Sequence, residues 1–154
     1  MTLDPTIREA DFRGSIKKYF LDNIETLSST KVFFEELEEI PLSSGSTEYT
    51  KWCIIHFGRR DLGPVSEQQI TIELFTKGDK EGDILVDLVD TVMGYIIDET
   101  KPTGLVTIPY YNTLSTWTVI GGIIPFLQPS LGKTEGKDGL LFQSINLLCK
   151  WGGK

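Results

Sequence analysis

Apolar residues recur at helical spacing near the start of the chain: Phe12, Ile16, Tyr19/Phe20, Ile24 and Leu27 form one stripe. This predicts a helix over 5–27, with Asp4 as cap and Pro5 at the first helical position, where no N–H partner is needed. Gly14 falls inside it at a cost of about 1 kcal/mol relative to Ala, so the helix should be looser at its start.

The period then shortens to two. A short strand, "KVFFEE" (31–36), is followed by a polar loop, "SSGSTEY" (43–49), and a second strand at "KWCIIHF" (51–57). "GRRDLGP" (58–64) has turn composition and places Arg59, Arg60 and Asp61 at its tip. In "SEQQITIELFT" (66–76), Ile70, Ile72 and Leu74 face one way and Gln69, Thr71 and Glu73 the other. These three strands are expected to form an antiparallel meander with one solvated face.

"LFTKGDKEGDILVDLVD" (74–90) leads into a predicted helix over 80–98. Ile84, Leu85, Leu88, Val89, Val92, Met93, Ile96 and Ile97 sweep more than half its circumference, leaving Asp83, Asp87, Asp90, Thr91, Gly94 and Asp98 on a narrow acidic ridge. Lying on a sheet requires a narrower stripe, so a second cover is expected, either the first helix or another subunit. Strand composition returns at "LVTIPYY" (105–111), "STWTVIGGIIPFL" (115–127) and "LLFQSINLLCKW" (140–151), the last with Ile145, Leu147, Cys149 and Trp151 on one face. Pro109 and Pro125 cannot donate to a ladder and favour edges or bulges. The expected fold class is α+β: a mixed or antiparallel sheet with both helices on one face, in the order α-β-β-β-α-β-β-β. A single domain over 1–154 is expected, with 128–154 a C-terminal loop and strand extension.

Composition narrows the function. The 154 residues, 40% apolar, suffice for one core. Net charge is −7, which disfavours a dedicated nucleic-acid binder but suits a surface that DNA merely passes. Cys53 and Cys149 lie in apolar strand contexts and read as reduced core thiols, a disulfide being possible but not required. The N-terminal residues lack a signal-peptide pattern, and no apolar run approaches the ~20 residues of a membrane helix. Together these point to a soluble intracellular protein.

Candidate chemistry dissolves under its own geometry. In "GDKEGD", Asp79, Glu81 and Asp83 alternate as calcium ligands do, but an EF-hand loop needs Gly at its sixth position and Glu at its twelfth. Counted from Asp79, Gly82 is fourth and Asp90 twelfth. The better reading is structural: Gly78 frees the chain from the strand, Asp79 caps, and Glu81 and Asp83 sit at the positive end of the helix dipole. "LGKTEGK" (131–137) has Gly-Lys-Thr, but Leu127 stands where a P-loop needs its first Gly. His56 is the sole histidine and shares a strand face with Trp52 and Ile54, as a packing residue would. No catalytic residue, metal site or cofactor is expected, and the sequence reads as a non-enzyme. The pair Arg59/Arg60 with Asp61 is either ordinary solvated surface or a contact for charged partners.

The strand, Asp-bearing turn and apolar helix of "QQITIELFTKGDKEGDILVDLVDTVMGYI" (68–96), preceded by the helix "IKKYFLDNI" (16–24), resemble the tail terminator (tail completion) proteins of long-tailed bacteriophages. The likeness covers roughly residues 5–125; 128–154 departs from shorter members. It implies a structural virion protein: a homo-hexameric ring at the head-proximal end of the tail, assembled in the host cytoplasm. Such a ring caps the major tail tube protein, ends tube polymerisation, and offers a head-tail joining surface to a head-completion or neck protein. It implies no membrane partner and no specific nucleic-acid binding, with DNA passing through the lumen, and it makes Arg59, Arg60 and Asp61 candidates for an interface. Two other readings compete: a different head-tail connector or completion protein, and a small hydrolase with an acidic site.

Overall fold

The structure, a computed structural model, describes residues 8–26, 30–34, 43–44, 47–48, 50–113, 116–130, 132–136 and 139–152. Helix α1 (Glu9–Phe20) widens into a π-helical turn over Leu21–Glu25. Strand β1 (Lys31–Phe34), the small hairpin β2 (Ser43–Ser44) and β3 (Thr47–Glu48), and the long strands β4 (Lys51–Asp61) and β5 (Val65–Lys77) follow. Helix α2 (Asp83–Gly94) leads to β6 (Ile108–Asn112), β7 (Thr118–Gln128), β8 (Thr134–Glu135) and β9 (Leu140–Gly152). The main sheet has seven strands in the order β1-β4-β5-β9-β7-β6, with β8 beside β9. The class is mixed α+β.

Several expectations need correction. Helix α1 begins at Glu9, because Arg8 is extended (φ −74°, ψ 128°) and supplies no side-chain cap. Asp4, Pro5 and Leu27 lie outside the described residues. Helix α2 is shorter than 80–98: Gly82 takes a left-handed φ of +81°, which keeps the helix from starting before Asp83. The first three strands are not a meander. β1 runs parallel to β4, pairing Lys31 with Trp52 through Phe34 with Ile55. A parallel pair needs a connection of about a dozen residues or more, and the stretch between Phe34 and Lys51 has that length. The segment 128–154, expected as an extension, supplies β9. That strand lies between β5 and β7 in the same chain and pairs with β5 along its full length of 13 residues.

One face of the sheet carries the main core. Cys53 and Ile55 from β4, Ile70, Ile72 and Leu74 from β5, and Ile145, Leu147, Cys149 and Trp151 from β9 are all buried there. Phe12, Ile16, Phe20 and Ile24 of α1 and Leu85, Leu88 and Val92 of α2 join the same cluster. Phe12 stacks on Trp151 with ring centroids 4.2 Å apart and planes within 10°. On the opposite face Trp52, Ile54 and Phe75 form a smaller cluster, edged by Phe33, Leu140 and Phe142. Both prolines stand where a ladder is open on one side: Pro109 in the edge strand β6, and Pro125 in the part of β7 beyond β6.

Polar contacts fix α1 to the β6–β7 hairpin. Fully buried Asp11 accepts through Oδ1 from the Thr113 backbone N–H (3.0 Å) and hydroxyl (2.6 Å). Buried Ser15 donates to the Asp11 carbonyl (2.6 Å) and accepts from Tyr111 N–H (2.8 Å). The Tyr110 hydroxyl donates to the Arg8 carbonyl at 2.9 Å. Gly14 makes the approach possible, since a Cβ there would lie 2.6 Å from Thr113 Cγ2. What the sequence suggests is a weak point in the helix is the contact itself.

Candidate assembly surfaces

The strand-to-helix turn is built around one carboxylate. Gly78 (φ +73°) turns the chain out of β5, and Asp79 folds back over the start of α2. Its Oδ1 accepts from the N–H groups of Gly82 (3.0 Å) and Ile84 (3.3 Å). Its Oδ2 accepts from Leu85 N–H (2.8 Å) and the Thr76 hydroxyl (3.2 Å). Burial pushes the Asp79 carboxyl up, but these hydrogen bonds outweigh it, Leu85 N–H foremost, and hold it below its ordinary value. Asp83 opens the helix and is exposed; Glu81 is exposed ahead of it, in the loop. Asp79 spends both oxygens on capping, and among the described residues the acids around it form no group of three that could hold a metal ion. Residues 132–136 come to lie beside this turn, with Lys133 over Gly82 and Glu135 and Gly136 facing Lys80 across a shallow depression.

Arg59, Arg60 and Asp61 are not on a loop tip. They extend β4, with Arg60 opposite Gln68 and Asp61 opposite Glu67, and the turn proper is Leu62–Pro64. A register shift between Phe57 and Arg60 absorbs an irregularity at Gly58 and Arg59, allowing the strand to continue past the turn-like composition. Arg60 forms an ion pair with Glu9 in the first turn of α1, and Gln68 Nε2 also reaches Glu9 at 3.4 Å. Arg59 and Asp61 are exposed. The three residues line one side of a depression completed by Glu67, Gln69 and Leu148.

The two cysteines have little reactivity in this setting. Cys53 and Cys149 are free and buried, and burial pushes both thiols up to about 12, where little thiolate forms. His56 sits on the Trp52/Ile54 side of β4 with Nε2 3.6 Å from Glu73. Among the described residues no three His, Cys, Asp or Glu side chains are grouped to hold a metal ion.

Apolar residues stand in the open at several places, Val65, Val119 and Leu127 on strands among them, and two such surfaces involve the helices. On α2, Val86 (53% exposed) and Ile97 just beyond it (42%) continue a stripe through half-buried Val89 and Met93, bordered by Asp83, Asp87 and Asp90. On the other, Gly14, Lys17, Lys18 and Leu21 of α1 face Trp117 (47% exposed) across a groove of about 410 Å³ that also touches Asp22.

No protein-family model matches the chain, and no curated protein matches it in sequence. A solved structure does match. It is a chain of the virion of a native gene transfer agent particle, 9% identical, with a TM-score of 0.51. The superposition takes in 92% of this chain and 94% of that one. What the two share is the fold.

Two features of this chain were not apparent from its sequence. The α1–hairpin contact depends on Asp11 and Ser15, polar residues in an early helical turn that look like a solvated end. The groove beside Trp117 joins residues about a hundred positions apart, brought together by tertiary contacts that include the Asp11–Thr113, Ser15–Tyr111 and Arg8–Tyr110 bonds. No local signal could have found it.

Proposed function

We propose that this protein is a structural component of a phage-like virion, and that within it the protein acts as a tail terminator. In this reading copies form a ring on the last ring of tail tube protein, end tube growth, and present the opposite side to a head-completion or neck protein. The observation that carries the reading is the fold likeness to a virion chain, which extends over nearly all of both chains. The resemblance of residues 68–96 to tail terminators supports the finer role, as do the apolar surfaces left open on the protomer. Arg59 is the charged contact we assign to the tube-facing or neighbour-facing side, because Arg60 is already engaged by Glu9.

Tail length tests the finer role. Particles assembled without this protein should carry tubes of uncontrolled length, whereas loss of a head-completion protein would leave normal tails unattached to heads. Negative-stain imaging distinguishes the two, and normal-length tails would reject the terminator role. Arg59→Glu should weaken docking to purified tubes. Leaving Arg60 in place keeps the α1 contact intact, so unchanged docking would remove Arg59 from the interface.

A further inference from the structure

The two open apolar surfaces have opposite charge borders. The α2 stripe of Val86, Val89, Met93 and Ile97 runs beside Asp83, Asp87 and Asp90, and α2 itself contains no basic residue. The groove is apolar at Leu21 and Trp117 and bordered by Lys17 and Lys18, with Asp22 pairing Lys18 at 2.7 Å. The groove's floor is a helix face, and Gly14 within its lining is the residue against which Thr113 packs. Its far wall is held in an unusual state: Trp117 has φ +53°, a left-handed conformation rare for a bulky side chain, with its ring 6.1 Å from that of Tyr111. The strained residue keeps a large apolar ring at the surface, where the isolated protomer gains little from it.

We infer that the α2 stripe of one copy docks into the α1–Trp117 groove of another, acid ridge against lysine border. The occupant is a second copy of this chain because the acid-bordered stripe of α2 suits a groove whose border keeps a net positive charge, Lys17 and Lys18 against the single Asp22, and the two are alike in apolar character. Since the two surfaces differ, a pair joined by one such contact still has a free groove and a free stripe, and repeating the contact head-to-tail builds a ring or an open chain. This deepens the ring reading above and rests on it only for closure.

Sedimentation of the full chain over a range of concentrations tests the contact. Lys17→Glu/Lys18→Glu and Asp87→Lys/Asp90→Lys should each weaken self-association by about tenfold or more. An equimolar mixture should restore it, because mixing supplies an unaltered α2 to an unaltered groove. Thermal melts of each variant check that the fold survives. A second, independent measurement uses cross-linking: a Val86→Cys copy should form a disulfide with a Leu21→Cys copy, the native thiols being buried. Self-association indifferent to either reversal overturns the proposal, as does a mixture that stays apart. A wild-type chain that remains monomeric and gives no such cross-link also overturns it, as does Val86→Cys linking chiefly to itself. Open chains that respond to the reversals keep this contact and reject the ring. Closed rings that ignore them keep the ring and reject this contact.

Discussion

The two helices lie against one sheet core but are attached to it differently. Helix α1 buries its apolar stripe completely: Phe12, Ile16, Phe20 and Ile24 are all fully covered. It adds polar contacts from Asp11, Ser15 and Arg8 to the hairpin, and Glu9 to β4. Helix α2 buries Leu85, Leu88 and Val92, is capped by Asp79, and leaves a second apolar stripe half open. Tyr19 links them, donating to the Tyr95 carbonyl just past α2. The contrast separates two uses of an amphipathic helix. One stripe is spent wholly on the fold, while the other stays partly open to solvent.

The contrast can be broken most severely at α1. Phe12→Ala removes a ring stacked on Trp151 and should cost about 3–5 kcal/mol in denaturant unfolding. Asp11→Ala leaves the part-buried Thr113 N–H without its acceptor and should cost about 1–3 kcal/mol. Gly14→Ala gives a sign test. In an exposed helix it would stabilise by about 1 kcal/mol, whereas contact with Thr113 should make it destabilising by a similar amount.

Effects at α2 should be smaller. Asp79→Asn should lower the melting temperature at pH 7 by on the order of 5 °C by weakening the cap. Because the folded pKa of Asp79 is depressed, its contribution is complete above the ordinary carboxylate value of about 4 and is lost as pH falls through the folded value. The gap between wild type and Asp79→Asn should therefore narrow in melts below that range. Val86→Ser with Ile97→Ser should change protomer stability least, within about 0.5 kcal/mol per site, and yet reduce self-association. A large loss of stability would mean the stripe belongs to the core.

Positions governed by one-sided burial were legible in the sequence. Alternation at Ile70, Ile72 and Leu74, and at Ile145, Leu147, Cys149 and Trp151, reflects a sheet with one face on the core, and all of these residues are buried. The stripe from Phe12 to Ile24 was legible for the same reason. Strand direction was not: the pattern along β1 is the same whether it runs parallel or antiparallel to β4. Gly58 and the arginines have turn composition, and only the ladder to Gln68 and Glu67 reveals a strand. Of the candidate surfaces, the surplus on α2 was legible as excess apolar circumference. The groove was not, since Lys17, Leu21 and Trp117 meet through tertiary contacts alone.

The position of β9 has a consequence for how the molecule forms. In the sheet β5 needs β9 as a neighbour, and Thr71 bonds to Asn146, 75 positions later. During synthesis β4 and β5 can pair as a hairpin early, but one side of β5 then stays bare until β9 emerges. Closing so long a loop is slow, and it favours late, concerted completion of the sheet over stepwise growth. The Trp151 surface on which Phe12 stacks arrives with that same strand, so α1 gains this part of its seat only at this stage. Partners that recognise the finished protomer thus meet a chain that becomes competent in one late step.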